Sequence, residues 1–207
     1  MRAALPSKST LIAAAITLLS HTNLSAQAPS MPVLPDSTAI SMARSALDSE
    51  ISMHADVYVW RQGHFVRAVT GTNGYACLVS WSGHVDNLSP MCFDPVGART
   101  LMAGAMLWVE LLVGGAEPSS ALERVNAAFA DGRLHYPETT AVTYMMSPRQ
   151  VLFSPSGRPQ GNWYSHVMFY LPNATREQFA LIPDQVFLGV PYGRGVELMV
   201  VVPNWAH

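Results

Sequence analysis

Few residues in this chain of 207 have a type and a spacing that could support chemistry. The best placed is His166, which lies in an apolar and aromatic run at residues 163–171. Because side chains alternate along a strand, this run puts four residues on one face: Tyr164, His166, Met168 and Tyr170. A histidine between phenol hydroxyls can serve as a general base, or it can be a half-buried histidine held by hydrogen bonds. We predict a pocket lined by Tyr144, His166, Met168 and Tyr170.

Catalysis at His166 would require a nucleophile or an acid beside the imidazole. The chain has no Gly-x-Ser-x-Gly elbow, although Ser80, Ser147 and Ser165 could approach in space. Carboxylate-pair chemistry could draw on Asp94, Glu110 or Glu197, but no spacing singles out two of them. We therefore favour a small-ligand-binding or interaction module, with a small apolar ligand or a protein as partner. The alternative is a hydrolase in which His166 is the general base, with a serine or carboxylate within about 3 Å of its ring.

Both cysteines of the chain, Cys77 and Cys92, lie in the stretch from Gly71 to Asp94. In an exported protein such a pair favours a structural disulfide, which would stabilise the fold by about 3 kcal/mol for a loop of about 15 residues. A redox or metal-binding role is the alternative, although the spacing differs from Cys-x-x-Cys. The run Gly71-Thr72-Asn73-Gly74 predicts a tight turn, and a phosphate cradle is disfavoured because a strand follows it. Asn73 and Asp94 are candidate groups at the rim of the ligand site.

Composition excludes several other functions. The histidines are isolated, with His84 and Asp86 as the nearest approach to ligand spacing, so we expect no metal site and no cofactor. The only lysine, Lys8, precedes the mature chain, which rules out a Schiff base or a lysine general base. Acidic residues outnumber basic ones, and the arginines are scattered. Nucleic-acid binding is therefore not expected.

The first 26 residues have the pattern of a secretory signal peptide. Arg2 and Lys8 precede an apolar run at residues 11–19, and small residues follow at 25–28. The run is shorter than the ~20 residues that a membrane-spanning helix needs. We expect cleavage after Ala26, with an uncleaved anchor as the alternative, and then a periplasmic or secreted protein with no stable membrane anchor. Residues 27–35 are predicted to be a Pro-rich linker and residues 36–207 a single domain.

Hydrophobic periodicity predicts the elements of the N-terminal half. Asp36 is a good N-cap for a helix with Ile40, Ala43, Leu47 and Ile51 on one face. A hairpin follows at residues 57–60 and 65–70, with Gly63 in its turn, and residues 75–81 form a third strand of the same meander. Residues 82–87 are predicted to be a polar loop.

A pair of helices is predicted in the middle of the chain. Asp94 and Pro95 begin a helix that continues over residues 96–113, and a capping box of Ser120 and Glu123 begins the second. Apolar residues surround most of the first helix, which makes it either core or a partner surface. Further strands are predicted at residues 141–146, 151–153, 163–171, 185–188 and 197–202, the last apolar on both faces. The predicted fold is α+β: an antiparallel sheet of five to seven strands with an N-terminal helix, an inserted helical hairpin and one disulfide.

Several short motifs are spread over most of the mature chain. They are Gly71-Thr72-Asn73-Gly74 with Cys77, Pro90-Met91-Cys92 with Asp94, Tyr144-Met145, His166-Val167-Met168, Pro191-Tyr192 and Val201-Val202-Pro203. With these motifs the chain resembles a family of exported bacterial proteins of unknown function. The resemblance implies an ordered, exported single domain. The helical segment at residues 96–132 matches no motif of that family.

Overall fold

A computed structural model describes residues 30–83, 87–149, 151–153, 159–162, 165–189 and 194–202, with backbone alone at 151–153 and 159–162. The predicted signal peptide lies outside these residues, as do His84, Asp86 and Tyr164. The helices are α1 (Asp36–Arg44), α2 (Ser49–Ser52), α3 (Pro95–Arg99), α4 (Leu101–Val113) and α5 (Pro118–Ala130). The strands are β1 (Asp56–Arg61), β2 (His64–Val69), β3 (Ala76–Trp81), β4 (Leu88–Phe93), β5 (Ala141–Met145), β6 (Val151–Phe153), β7 (Pro159–Asn162), β8 (His166–Leu171), β9 (Val186–Leu188) and β10 (Val196–Val201).

Eight of the strands form one mixed sheet in the order β2-β1-β3-β4-β5-β8-β10-β9, while β6 and β7 pair separately. The α+β class is therefore confirmed, with somewhat more strands than predicted. The predicted meander is wrong at one place, because β3 pairs with β1 in parallel rather than with β2. All other neighbours in the sheet are antiparallel.

Helices cover the two faces of the sheet. On one face Ala43, Ala46 and Leu47 pack with Cys77, Val79 and Cys92. On the other face Leu101, Met102 and Ala105 of α4 pack with Ala76, Leu78 and Phe93. We call these the α1 face and the α4 face. Since α4 also contacts α5, its apolar circumference belongs to the core.

The predicted N-terminal helix is instead two short helices, α1 and α2. Pro35 is the N-cap residue of α1, and Asp36, which was predicted to cap it, lies in the first turn. The Asp36 carboxylate forms an ion pair with Arg61 at the end of β1. Asp48 caps α2, because its side chain accepts a hydrogen bond of 2.9 Å from the Glu50 amide.

The long helix predicted after Asp94 is also divided in two. Asp94 is an N-cap as expected, and its Oδ1 accepts a 2.7 Å hydrogen bond from the Gly97 amide. At Thr100 the backbone leaves the helical region, with φ −128° and ψ −73°, and α4 begins at the next residue. The capping box predicted at Ser120 is wrong, since α5 already begins at Pro118 without a side-chain cap.

The predicted disulfide is present between Cys77 and Cys92. These residues lie directly opposite each other in the β3–β4 ladder, and both are fully buried. Strand β4 was missed in the sequence because Pro90 lies in its middle, and proline is depleted within sheets. The disulfide therefore joins two neighbouring strands near the centre of the sheet.

Candidate functional site

Strand β8 carries three of the predicted site residues on the α4 face. His166, Met168 and Tyr170 are 3%, 7% and 4% exposed, while the alternate residues between them are half-buried. The alternation predicted for this strand is therefore observed. The ladders set their neighbours on β5 and β10: Met145 and Val201 beside His166, Thr143 and Met199 beside Met168, and Ala141 and Glu197 beside Tyr170.

Tyr144 does not belong to that group. It pairs with Val167, so its side chain lies on the opposite, α1 face of the sheet. There its ring is 6.4 Å from the ring of Tyr75, in the cluster that surrounds the disulfide. The prediction of one pocket shared by Tyr144 and His166 is wrong, because a sheet separates the two side chains.

The environment of Tyr144 raises the pKa of its phenol to about 12. Burial is the main cause, followed by the charge of Tyr75, a hydrogen bond with Tyr75 and the charge of Asp94. The charge of Asp94 thus acts on Tyr144, but Oδ1 of Asp94 is engaged in capping α3. This side of the sheet has a hydrogen-bonded phenol pair next to an acid.

Asn73 has a structural role in the turn before β3. Its side-chain amide donates a 2.8 Å hydrogen bond to the Ile51 carbonyl, and its side-chain oxygen accepts one of 3.1 Å from the Tyr75 amide. Both ends of the side chain are therefore used within the turn, which matches an Asx turn. The prediction that Asn73 lines the rim of a ligand site finds no geometric support here.

Two of the three serines considered as nucleophiles for His166 form hydrogen bonds elsewhere, and the third, Ser80, lies on β3, three strands from β8 in the sheet. The Ser165 hydroxyl donates to the Met146 carbonyl at 2.9 Å, and the Ser147 hydroxyl shares a 2.8 Å hydrogen bond with Ser45. The buried carboxylate of this face, Glu197, lies opposite Tyr170, four residues along β8 from His166. At the rise of an extended strand that separation is about 13 Å, beyond the reach of a hydrogen bond.

The α4 face contains a site that the sequence reasoning did not single out, and Glu197 is at its centre. This residue is only 7% exposed, and the hydroxyl of Tyr170 donates a hydrogen bond to its carboxylate. Burial raises the pKa of Glu197 to about 7, and the hydrogen bond from Tyr170 opposes part of this rise. Such a carboxyl group can both hold and release a proton near neutral pH.

A second phenol, Tyr136, is close enough to Glu197 for the carboxylate charge to affect its pKa. Burial raises the pKa of Tyr136 to about 12; the Glu197 charge adds to this rise, and Arg194 opposes it. Its hydroxyl is buried and has no hydrogen-bond partner among the described residues. The ring packs edge-on against Phe129, with centroids 5.9 Å apart. We refer to Glu197, Tyr170 and Tyr136 as the acid–phenol cluster.

Strands β8, β10 and β9 and the segment after α5 position the acid–phenol cluster. The β8–β10 ladder sets Tyr170 against Glu197, and the segment after α5 carries Tyr136, anchored by a 2.8 Å hydrogen bond from the Leu134 amide to the Ala128 carbonyl. Gly189, at the end of β9, lies against the Glu197 carboxyl, and a Cβ atom at Gly189 would overlap it. The position of the acid thus depends on a glycine from a neighbouring strand.

The sequence held one signal for this site: a glutamate in the otherwise apolar run Val196-Glu197-Leu198-Met199-Val200-Val201. An acid on a buried strand is costly unless it is paired or protonated. The partner Tyr136 is about sixty residues away in the chain, so only the fold reveals it.

Family models, curated proteins and solved structures yield no match to this chain. The resemblance to exported bacterial proteins therefore stays a prediction. Across the residues that the structure describes, no group of three or more His, Cys, Asp or Glu side chains is placed to hold a metal ion. No helix in that part of the chain has the length and apolar character to cross a membrane.

Proposed function

We propose that the protein is a binding module for a small ligand and that the acid–phenol cluster holds the polar group of that ligand. The observation that carries this proposal is the buried Tyr136 hydroxyl, which has no partner among the described residues. A buried hydroxyl without a hydrogen bond costs about 1–3 kcal/mol. Such a group in a native fold requires an explanation, and a ligand acceptor atom would supply the missing bond.

The surroundings indicate the chemistry of the rest of the ligand. Tyr136 packs with Phe129, and the core cluster next to it includes Met168 and Met199. Methionine side chains adapt easily to different apolar shapes. The proposed ligand is mainly apolar with one oxygen acceptor, so that its body would contact the methionines and its oxygen would accept a hydrogen bond from Tyr136.

The protonation state of Glu197 would determine which hydrogen-bonding groups of a ligand the site accepts. When the Glu197 carboxyl is protonated it carries no charge and can donate a hydrogen bond to a neutral acceptor. When it is ionised it favours a ligand that donates a hydrogen bond. A pKa of about 7 makes both forms available near neutral pH.

The alternative, a hydrolase with His166 as general base, has less support. Ser165 donates a hydrogen bond to another group, Ser147 shares one, and Ser80 lies on β3, three strands from β8. Glu197 lies about 13 Å from His166 along the strand. The hydrogen bonds of Ser147 and Ser165 and the arrangement of acid and phenols support binding better than acyl transfer.

We also propose that the protein acts in the periplasm or outside the cell. The buried Cys77–Cys92 disulfide supports this location, because such bonds persist in oxidising compartments. The signal-peptide pattern of residues 1–26 supports it independently.

A thermal-shift screen tests the proposed binding function. The probes are medium-chain ketones, alcohols and primary amines, with the matching hydrocarbon as reference, and each is measured at pH 6 and pH 8. We expect ketones to raise the Tm more than the hydrocarbon does, and more at pH 6. Tyr136→Phe should abolish this difference, whereas Tyr58→Phe, which removes the same atom from a half-buried tyrosine elsewhere, should preserve it. Equal shifts in Tyr136→Phe and the unmodified protein would refute the assignment of the site.

A further inference from the structure

Arg194 brings a positive charge to the acid–phenol cluster. It is an exposed residue in the bend before β10, three positions ahead of Glu197 in the chain. Its charge acts on the phenol of Tyr136, as the charge of Glu197 does. Among the described residues, no acid forms an ion pair with Arg194. The cluster therefore has an exposed guanidinium group that can pair with a negatively charged ligand.

Close backbone packing fixes the bend that carries Arg194. The next residue, Gly195, has a φ of 74°, and a Cβ atom there would overlap the carbonyl oxygen of Leu171. Glycine permits both this conformation and this close approach. Leu171 directly follows Tyr170 in β8. The backbone at Arg194 is thus held at the same end of β8 as the phenol that bonds to Glu197.

A guanidinium group and an unpaired phenol together match a carboxylate. A carboxylate has two oxygens and can accept hydrogen bonds from two donors at once. The buried Tyr136 hydroxyl, which has no partner among the described residues, would donate to one oxygen. The Arg194 guanidinium would pair with the other oxygen, and such charge-assisted hydrogen bonds are stronger than neutral ones.

Glu197 can face a bound carboxylate only when Glu197 is protonated. Its side chain is approached by Tyr170 from β8, by Tyr136 from the segment after α5 and by Gly189 from the end of β9, while Arg194 precedes it in the chain. An ionised Glu197 would repel a second carboxylate. A protonated Glu197 carries no charge and can donate a hydrogen bond to the ligand. Above pH 7, where Glu197 is mostly ionised, binding of a carboxylate would therefore require a proton from solvent.

We propose that the ligand of the acid–phenol cluster is a monocarboxylate with an apolar chain, that Tyr136 and Arg194 bind its carboxylate, and that Glu197 is protonated in the complex. This inference rests on the binding function proposed above and names the chemical class of the ligand. The apolar chain would contact Met168 and Met199 of the neighbouring core cluster. Arg194 then determines specificity, because it distinguishes an acid from a neutral molecule of the same length.

Isothermal titration calorimetry of the full chain with octanoate, and with the methyl ketone of the same chain length, tests this assignment. At pH 6 we expect octanoate to bind about tenfold more tightly than the ketone, the usual effect of a hydrogen bond to a charged group. Arg194→Gln should remove this advantage and leave ketone binding unchanged. Arg99→Gln, which removes an exposed arginine at the end of α3, should change neither affinity.

The pH dependence of octanoate binding is a second measurement. Octanoate stays ionised from pH 6 to pH 8, whereas a group with a pKa of about 7 loses its proton over this range. The octanoate affinity should therefore fall about tenfold between these two pH values. In Glu197→Gln the side chain has no proton to lose by titration, so the affinity should vary little.

The outcomes separate this inference from the proposed function. Ketone binding without tighter octanoate binding would overturn the inference and leave the proposed binding function intact. Equal octanoate affinity in Arg194→Gln and the unmodified protein would overturn it as well. If neither octanoate nor the ketone binds, the proposed function fails and the inference fails with it.

Discussion

Glu197 and Tyr170 lie directly opposite each other on β10 and β8, and the phenol donates a hydrogen bond to the buried carboxylate. The two residues come from β10, which is apolar apart from Glu197, and from β8, the strand that holds His166. On the α4 face, Glu197 is therefore a better candidate for the functional group than His166.

Replacing Glu197 with glutamine should remove a pH dependence of stability. In the folded protein the pKa of Glu197 rises from its ordinary 4.5 to about 7, so the native state binds more protons than the unfolded state between these values. Stability is therefore lost as the pH rises through this window, by about 3 kcal/mol in all. Urea unfolding from pH 4.5 to pH 8 measures this loss, and Glu197→Gln should flatten the curve.

Glu110 provides the control for that experiment. It is an exposed acid on α4, so Glu110→Gln makes the same chemical change at the surface. The Glu110→Gln protein should keep the pH dependence of the unmodified protein. If both variants keep it, the burial of Glu197 does not govern the titration.

Replacing Gly189 with alanine should destabilise the protein by about 1–3 kcal/mol, the usual cost of overpacking. The added Cβ would overlap the Glu197 carboxyl, which would have to move. In a Glu197→Ala background that carboxyl is absent, so the same Gly189→Ala change should cost little. A double-mutant cycle of urea unfolding free energies measures this coupling. Equal costs in both backgrounds would show that Gly189 does not position the acid.

Replacing both cysteines with alanine should lower the free energy of unfolding by about 3 kcal/mol, since the disulfide spans a sequence separation of 15 residues. Ligand binding at the acid–phenol cluster should survive, because Cys77 and Cys92 pack with the α1 face. Chemical denaturation and the thermal-shift screen measure the two effects separately. A folded variant that no longer binds any probe would contradict this separation.

Local patterns explain which features the sequence could predict. The Asp94 cap and the alternation of His166, Met168 and Tyr170 depend on neighbours a few residues apart, and both occur as predicted. The parallel pairing of β1 with β3 joins strands that β2 separates in the sequence, and periodicity does not encode such a pairing. The same holds for Tyr144: its face follows from its pairing with Val167, about twenty residues away.

The acid–phenol cluster shows the same limit most clearly. A glutamate within an apolar run indicates that something unusual is buried, but it does not name the partners. Tyr136 reaches the cluster from the segment after α5, and Gly189 reaches it from β9. These contacts exist only after the sheet has formed, so the sequence identifies Glu197 as one of three candidate acids on an apolar strand but does not identify its partners.

Replacing Tyr136 with phenylalanine should raise the stability of the protein and weaken ligand binding. The Tyr136 hydroxyl is buried without a partner among the described residues, so its removal should relieve a desolvation cost and raise the free energy of unfolding by about 1 kcal/mol. Ligand binding should fall at the same time, because the donor to the ligand oxygen is lost. Urea unfolding measures the first effect and the ketone thermal shift the second. Tyr170→Phe is the comparison, since it removes a hydroxyl that bonds to Glu197 and should therefore destabilise the protein. If Tyr136→Phe instead lowers the free energy of unfolding, the Tyr136 hydroxyl stabilises the fold and is not reserved for a ligand.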